Sequence, residues 1–186
     1  MTRSDAPCAG SRGEAVGLED VLASRDRRAM QQAMLLERYR VPVVSLTIVM
    51  PGPVKNNRWA RCALHEAMVS FDRLCERKKW PVLAREQEWL RSGPEALYAV
   101  DANAATLKLA CIELEDCRPI GRLWDFDVID LGMSATSRTA FGFPPRCCLV
   151  CQRSARECGR ARRHSLDLLL ATIGSMMDGY DADARD

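Results

Sequence analysis

Hydrophobic positions along this chain follow two patterns, one typical of helices and one of buried strands. Val41 to Met50 is an almost unbroken apolar run rich in β-branched residues, which predicts a central strand. From Asn57 to Lys79 the apolar residues recur about every 3.6 positions, which predicts an amphipathic helix. The same criteria predict a helical turn at Leu18 to Leu22, helices from Ser24 to Arg38, Ala104 to Leu114 and His164 to Met177, and strands from Pro81 to Trp89, Glu95 to Asp101, Gly121 to Ile129 and near Ser134 to Thr139.

These elements alternate without an internal repeat or a convincing linker. That arrangement favours an α+β fold in a single domain over residues 18–186, with helices packed on a mixed or antiparallel sheet. Met1 to Gly17 is rich in Gly, Ser, Ala and charge, so we expect a disordered leader there.

The segment from Gly121 to Val128 carries the most chemical information. As a strand it sends three large apolar side chains to one face and the carboxylates of Asp125 and Asp127 to the other. Two like charges at that spacing repel each other, so a bound cation is the expected compensation. Mg²⁺ held for phosphate chemistry is the sharpest interpretation. A solvated acidic strand face has equal weight.

Two basic residues are candidates for binding phosphate. Arg122 precedes the acids and could clamp a phosphate, but alternation along the strand places it on the Trp124 face, and an ion pair at the strand end is an equal alternative. Lys55 follows Pro51 to Pro53, between the apolar strand and the next helix, where exposed backbone N–H groups favour anions. A rigid turn with a solvated lysine is the favoured alternative there.

A group of cysteines near the C-terminus raises the question of zinc. Four soft ligands occur there, namely Cys148, Cys151, Cys158 and His164. Their spacing is irregular, so small buried thiols are the favoured interpretation over structural Zn²⁺.

The same stretch is rich in arginine. These arginines form a positive face suited to a polyphosphate or an acidic partner, with a solvated helix face as the alternative: Arg146, Arg153, Arg156, Arg160, Arg162 and Arg163.

Composition excludes several classes of protein. The 186 residues carry a net charge of +2, too little for bulk nucleic-acid binding, and no apolar run is long enough to span a membrane. Nine cysteines occur without a secretory signal, so we expect a reduced, cytoplasmic protein that contacts neither membrane nor nucleic acid. With two histidines, a hydrolase built on a histidine base is disfavoured.

Several stretches, in one order, resemble a known family. They include Pro-Gly-Pro-Val-Lys at 51–55, Pro-Ile-Gly-Arg-Leu-Trp-Asp-Phe-Asp-Val at 119–128, Cys-x₂-Cys-x₆-Cys at 148–158 and Ser-Arg-Asp-Arg at 24–27. Together they resemble the CitX family, the apo-citrate lyase phosphoribosyl-dephospho-CoA transferases. The resemblance implies a nucleotidyltransferase-type enzyme, with a fold related to that class. It would transfer the prosthetic group from 2′-(5″-triphosphoribosyl)-3′-dephospho-CoA to a serine of the apo acyl carrier subunit and release diphosphate.

The resemblance also implies roles for particular residues. Asp125 and Asp127 would hold Mg²⁺ and act in catalysis together with Arg122. The substrate-binding candidates are Lys55, Arg25, Arg146, Arg153 and Arg160. The general base stays open, because this chain has Arg118 where relatives often have His; Glu113, Glu115 or the metal would have to serve. The third metal-binding carboxylate is also open, among Glu95, Glu113, Glu115 and Asp130.

Two functions of other classes remain as alternatives. One is a non-catalytic adaptor or chaperone for a carrier protein, which would use the arginine face. The other is a zinc-stabilised regulatory module that binds nucleic acid, and the modest net charge counts against it.

Overall fold

A four-stranded antiparallel sheet organises the N-terminal part of the protein. The computed structural model describes residues 13–132 and 136–183. The strands are β1 (Val43–Ile48), β2 (Val82–Leu90), β3 (Gly93–Val100) and β4 (Trp124–Ile129). The strand order is β2-β3-β1-β4, so β1 lies inside the sheet, as the nearly continuous apolar run predicted. The predicted α+β class and the antiparallel sheet are thus confirmed.

The helices follow the predicted order with shifted ends. They are α1 (Leu18–Tyr39), α2 (Arg58–Lys78), α3 (Ala104–Asp116), α4 (Ala155–Arg160) and α5 (Leu166–Asp183), with 3-10 turns at Pro119–Leu123 and Arg138–Phe141. The side chain of Asn57 caps α2 by accepting a hydrogen bond from the Ala60 N–H at 2.9 Å. No helix within the described ranges is both long and apolar enough to cross a bilayer.

The described residues fall into two compact units that divide between Thr136 and Ser137. The first unit contains the sheet with α1, α2 and α3, and the second contains α4 and α5. Of the predicted disordered leader, residues 1–12 lie outside the described part. Residues 13–17 belong to the first unit, where the Val16 N–H donates to Pro53 O at 3.0 Å and Glu14 pairs with Arg91 at 2.8 Å.

Helices cover the two faces of the sheet differently. α2 packs on the face that carries Tyr98 and Phe126, whose ring centroids lie 4.8 and 5.5 Å from that of Phe71. Leu35 and Leu36 of α1 pack in one hydrophobic cluster with residues of the other face, namely Val43, Leu97 and Ile129. Both layers are therefore built on the strand alternation that the sequence shows.

Three predicted elements need correction. Leu18 to Leu22 and the predicted helix from Ser24 are one continuous helix, in which Ser24 is an interior residue and not an N-cap. The helix begins earlier because Gly17 is its N-cap, and the Gly17 N–H donates to Asp20 Oδ2 at 3.0 Å. The Ser24 hydroxyl instead accepts a hydrogen bond from Ser92 at 2.8 Å. The predicted strand near Ser134 to Thr139 is wrong for residues 136–139, because a 3-10 turn begins at Arg138; residues 134 and 135 lie outside the described part.

The third correction concerns Gly121 to Leu123, which form a 3-10 turn and not the start of the strand. Pro119 opens this turn, and Gly121 presses against the end of α3. A Cβ at Gly121 would lie 2.6 Å from Leu114 O and 2.7 Å from Glu115 O, which are backbone atoms that cannot rotate away. Only glycine therefore allows the turn to pack here and start β4 at Trp124.

Gly121→Ala is expected to lower the free energy of unfolding by about 2 to 3 kcal/mol, because the added methyl overlaps two backbone carbonyls. Urea unfolding followed by circular dichroism measures the change. Gly179→Ala is the matched control, since a Cβ there meets nothing within 4 Å and helix propensity favours alanine. Equal stability of the wild type and Gly121→Ala would contradict the proposed close contact.

Candidate active site on the acidic face of the sheet

A line of polar residues crosses one face of the sheet. Thr47 lies opposite Asp125 on one side and Glu95 on the other, and Glu88 lies opposite Glu95. Directly opposed residues share a face, and adjacent strands lie about 4.8 Å apart, so this line spans all four strands. In the next row Ser45 lies opposite Asp127. We call this surface, defined by Ser45, Thr47, Glu95, Asp125 and Asp127, the acidic face.

The two aspartates lie on the face that the sequence predicted. Trp124 and Phe126 are fully buried on the opposite side, whereas Asp125 is half-buried and Asp127 is exposed. The carboxylates therefore stand on the accessible side of β4, while its aromatic side chains anchor the strand in the core.

α1 lies on the same side of the sheet, next to β1 and β3, and its contacts change from apolar to polar along its length. Its C-terminal half packs through Leu35 and Leu36, but its N-terminal half presents Arg27 and Arg28. Both guanidinium groups bind Glu95, with Arg27 Nη2 3.1 Å from Oε1 and Arg28 Nη1 2.7 Å from Oε2. The Glu95 side chain is only 5% exposed, so this pairing compensates for a buried charge.

Further hydrogen bonds hold the same half of α1 on the sheet. Gln31 Nε2 donates to Glu88 Oε1 at 3.0 Å, and Arg27 Nη2 lies 3.3 Å from the other oxygen of Glu88. Ser92, in the turn between β2 and β3, donates to the Ser24 hydroxyl. The position of both arginines next to the acidic face is thereby fixed by several partners.

The outer edge of β4 is closed by α3. Glu115 Oε1 accepts the Phe126 N–H at 2.9 Å, and Lys108 Nζ donates to Phe126 O at 2.6 Å. Both side chains are buried. Because one Glu115 oxygen is used at this edge, Glu115 is a structural residue of the strand edge. Of the four carboxylates left open as a third metal ligand, Glu95 is the one that the strand register places in line with Asp125.

Lys55 lies at the same end of the sheet as Glu95. Its Cβ is 3.7 Å from the position that a Cβ on Gly93 would occupy, at the start of β3. Its Nζ donates to Met50 O at 2.6 Å, so the solvated lysine of the alternative interpretation is not observed. Burial lowers the pKa of the Lys55 ammonium from its ordinary value.

The other predicted basic residues of the first unit lie in different surroundings. Arg25 is exposed on α1, and Arg122 is half-buried within the 3-10 turn, so the strand-face argument made for Arg122 does not apply. Arg118 donates to the Ser70 hydroxyl at 2.8 Å and lies over the Trp124 ring at 5.7 Å. Arg118 is therefore engaged with α2 and with the aromatic side of β4.

The second unit holds the remaining predicted site residues. Arg146 is half-buried, and Arg153 and Arg160 are exposed. Within this unit the structure brings together the four candidate zinc ligands, whose ligand atoms all lie within 4.8 Å of one another: Cys148, Cys151, Cys158 and His164.

Sequence reasoning missed Arg27 and Arg28 as site residues. A pattern that indicates them is present, since Ser24, Arg27, Arg28 and Gln31 follow the spacing i, i+3, i+4, i+7 of one helix face. When a polar stripe on one face of a helix continues into an apolar stripe, the helix is expected to lie across a surface that is itself partly polar. The predicted break before Ser24 obscured this pattern.

Comparison with known proteins identifies the family of the chain. A surface that combines carboxylates with ordered arginines suits a polyanionic ligand and its metal ion. The CitX family, described as apo-citrate lyase phosphoribosyl-dephospho-CoA transferase, matches residues 16–180. Proteins of that name from Escherichia coli O139:H28 (strain E24377A / ETEC) and Shigella boydii serotype 18 (strain CDC 3083-94 / BS512) are each 38% identical over 168 residues, which cover 90% of this chain and 92% of each relative. The chain therefore belongs to the CitX family, and the resemblance indicated by its motifs is confirmed.

Glu95→Gln is expected to lower the free energy of unfolding by about 2 kcal/mol, because it leaves two guanidinium groups beside a neutral amide. Glu14→Gln is the matched control. It removes an ion pair of 2.8 Å whose side chains are 64% and 71% exposed, so its effect should stay below about 0.5 kcal/mol. Urea unfolding measures both, and equal effects would show that the buried pairing does not stabilise the fold.

Proposed function

We propose that this protein transfers the phosphoribosyl-dephospho-CoA prosthetic group to the apo acyl carrier subunit of citrate lyase. The observation that carries the proposal is the CitX match, which spans residues 16–180 and so includes both compact units. The donor is 2′-(5″-triphosphoribosyl)-3′-dephospho-CoA and the acceptor is a serine hydroxyl of the carrier.

The reaction exchanges one phosphorus–oxygen bond for another. The serine oxygen bonds to the α-phosphorus of the triphosphate, the bond from that phosphorus to its bridging oxygen breaks, and diphosphate leaves. The hydroxyl proton is released to a base or to solvent. Negative charge increases on the departing diphosphate, so the site must present cations at that position.

Asp125 and Asp127 would hold Mg²⁺ in this reaction. The fit rests on their side chains, which share the accessible face of β4 and are of the type that Mg²⁺ prefers. When bound, the ion supplies charge neutralisation at the phosphate oxygens and lowers the pKa of an incoming hydroxyl. Thr47, opposite Asp125 on β1, adds a hydroxyl beside the same surface.

Carboxylates repel the phosphate groups of the donor. Those phosphates would therefore be bound by the nearby cations, Arg27, Arg28 and Lys55. Glu95 holds the two guanidinium groups at the N-terminal half of α1, two strands or about 10 Å from Asp125 across the sheet. Fixed arginines bind phosphate oxygens without a further loss of side-chain freedom. The role we assign to Glu95 is therefore to position these cations. Arg122, Arg25, Arg146, Arg153 and Arg160 stay as further candidates from the family resemblance.

One assay tests the proposed function. The protein is incubated with apo carrier subunit, triphosphoribosyl-dephospho-CoA and Mg²⁺, and the carrier is weighed by mass spectrometry while diphosphate is quantified. We expect a carrier whose mass has increased by the prosthetic group, with diphosphate released in equal amount. Tight binding of apo carrier without either change would instead support the adaptor alternative.

Asp125→Asn and Asp127→Asn should each lower the transfer rate by about 100-fold or more, because the amide removes the charge that holds the metal. Thermal unfolding should be nearly unchanged, since relief of like-charge repulsion offsets the lost contacts. Asp101→Asn is the matched control. This exposed aspartate follows the C-terminal end of β3, whereas Glu95 lies near the N-terminal end of that strand. Transfer at the wild-type rate by both β4 variants would remove the acid pair from the mechanism.

A further inference from the structure

We infer that the second unit binds one structural zinc ion through Cys148, Cys151, Cys158 and His164. This inference concerns stability and does not rest on the proposed transfer reaction. The irregular spacing of these residues in sequence had favoured buried thiols, but the fold removes that objection. Three separate segments bring the four ligand atoms within 4.8 Å of one another.

The first segment is a tight turn that holds Cys148 and Cys151. The Cys148 N–H donates to Arg153 O at 2.7 Å, and the Ala155 N–H donates to Arg146 O at 2.8 Å, so residues 146–155 form a narrow hairpin. The hairpin holds the two cysteines of the Cys-x₂-Cys pair in one turn, the spacing at which two zinc ligands commonly occur.

The other two ligands come from α4 and from the chain that follows it. Cys158 lies in α4 with its side chain turned inward, and only 5% of the residue is exposed. After α4 the backbone turns through Arg162, whose φ is 43°, and the Arg163 N–H donates to Cys158 O at 3.1 Å. This reversal brings His164 Nε2 to 3.4 Å from Cys151 Sγ.

Two of the separations between ligand atoms are close to those of a tetrahedral zinc site. A zinc ion with bonds of about 2.3 Å to sulfur and about 2.1 Å to nitrogen holds its ligand atoms about 3.5 to 3.8 Å apart. Cys151 Sγ lies 3.5 Å from Cys158 Sγ and 3.4 Å from His164 Nε2. All three cysteines are free thiols in the structure.

The second unit has few buried residues, so a zinc ion there would serve to stabilise the fold. Two of the proposed ligands, Cys148 and Cys158, are among the four buried residues between Ser137 and Gly179. The other two are Ile173 and Met177. So few buried apolar residues give little hydrophobic stabilisation, and small units of this kind commonly depend on a metal. Three thiolates and one neutral imidazole also fill all four positions of the ion, which is typical of a structural site.

The arginines of this unit fit the charge of such a centre. Zinc with three thiolates and one histidine carries a net charge of −1, which nearby cations offset. The surrounding sequence supplies six of them: Arg146, Arg153, Arg156, Arg160, Arg162 and Arg163.

Metal analysis of the purified full chain tests the inference. The chain is produced with zinc in the medium, kept under reducing conditions and dialysed against a weak chelator. We expect about one equivalent of zinc per chain. After exchange for Co²⁺, the spectrum should show the thiolate charge-transfer and d–d bands of a tetrahedral site. Less than about a quarter equivalent of zinc, with no cobalt bands after reconstitution, would overturn the inference.

Cys151→Ser and Cys147→Ser form a matched pair of variants. Cys151 belongs to the cluster, whereas its near neighbour Cys147 is exposed and outside it. We expect Cys151→Ser to lose the metal and Cys147→Ser to keep it. Equal metal content in the two variants, or a Cys151–Cys158 disulfide mapped by mass spectrometry in the freshly reduced protein, would contradict the site.

Limited proteolysis of the wild type gives a readout that needs no variant. Removal of zinc with a strong chelator should expose the chain between Ser137 and Asp183 to cleavage, and added zinc should restore protection. An unchanged cleavage pattern after full removal of the ion would contradict a structural role. If the chain binds zinc but the carrier assay shows no transfer, the proposed function fails while the zinc site stands.

Discussion

Two side chains of α3 form hydrogen bonds with the backbone of Phe126, and the geometry of the acidic face depends on these bonds. Glu115 accepts its N–H and Lys108 donates to its carbonyl, so the open edge of β4 is satisfied within the protein. The two residues next to Phe126 then pair with β1, which turns their carboxylates to the accessible side. A buried acid and a buried lysine thus fix the strand that carries Asp125 and Asp127. Gly121 contributes to the same constraint by allowing the chain to leave α3 closely enough for β4 to begin at once.

The opposite side of the acidic face depends on a second buried acid. Glu95 lies two strands from Asp125, and its two oxygens hold Arg27 and Arg28 of α1. The same helix binds the sheet by apolar packing further along, through Leu35 and Leu36. One helix therefore combines a hydrophobic attachment with a set of ordered cations, and the sheet beneath it changes from apolar to acidic in the same direction. This arrangement places positive and negative groups on one surface, as a reaction of a triphosphate with a metal ion requires.

The second unit is organised by other interactions. Its backbone hydrogen bonds form a hairpin and a short helix, and these converge on a cluster of thiols and one imidazole. Family membership covers this unit as well as the first, since the match continues to residue 180. The arginines here have two compatible interpretations, as a surface for an acidic carrier and as the counter-charge of the inferred zinc–thiolate centre.

Much of the architecture was determined by local pattern alone. The 3.6-residue stripe of α2, the apolar run of β1 and the alternation of β4 each depend on neighbouring residues, so the sequence was sufficient to assign them. The side of the strand on which Asp125 and Asp127 lie followed from the same alternation. The motifs were also sufficient to identify the family, because each of them is a short contiguous stretch of sequence.

Only the tertiary structure decided the features that depend on distant residues. Glu95 joins the acidic face through the register of β3 with β1, and no local pattern specifies how two strands align. The Ser24 hydroxyl accepts a hydrogen bond from Ser92, 68 positions away, a contact that no neighbouring residue specifies. The cysteines and His164 are irregularly spaced in sequence, yet a hairpin, a helix and a left-handed residue bring them together. Periodicity is set within a few residues, whereas register, close backbone approach and ligand convergence require the whole chain to be packed.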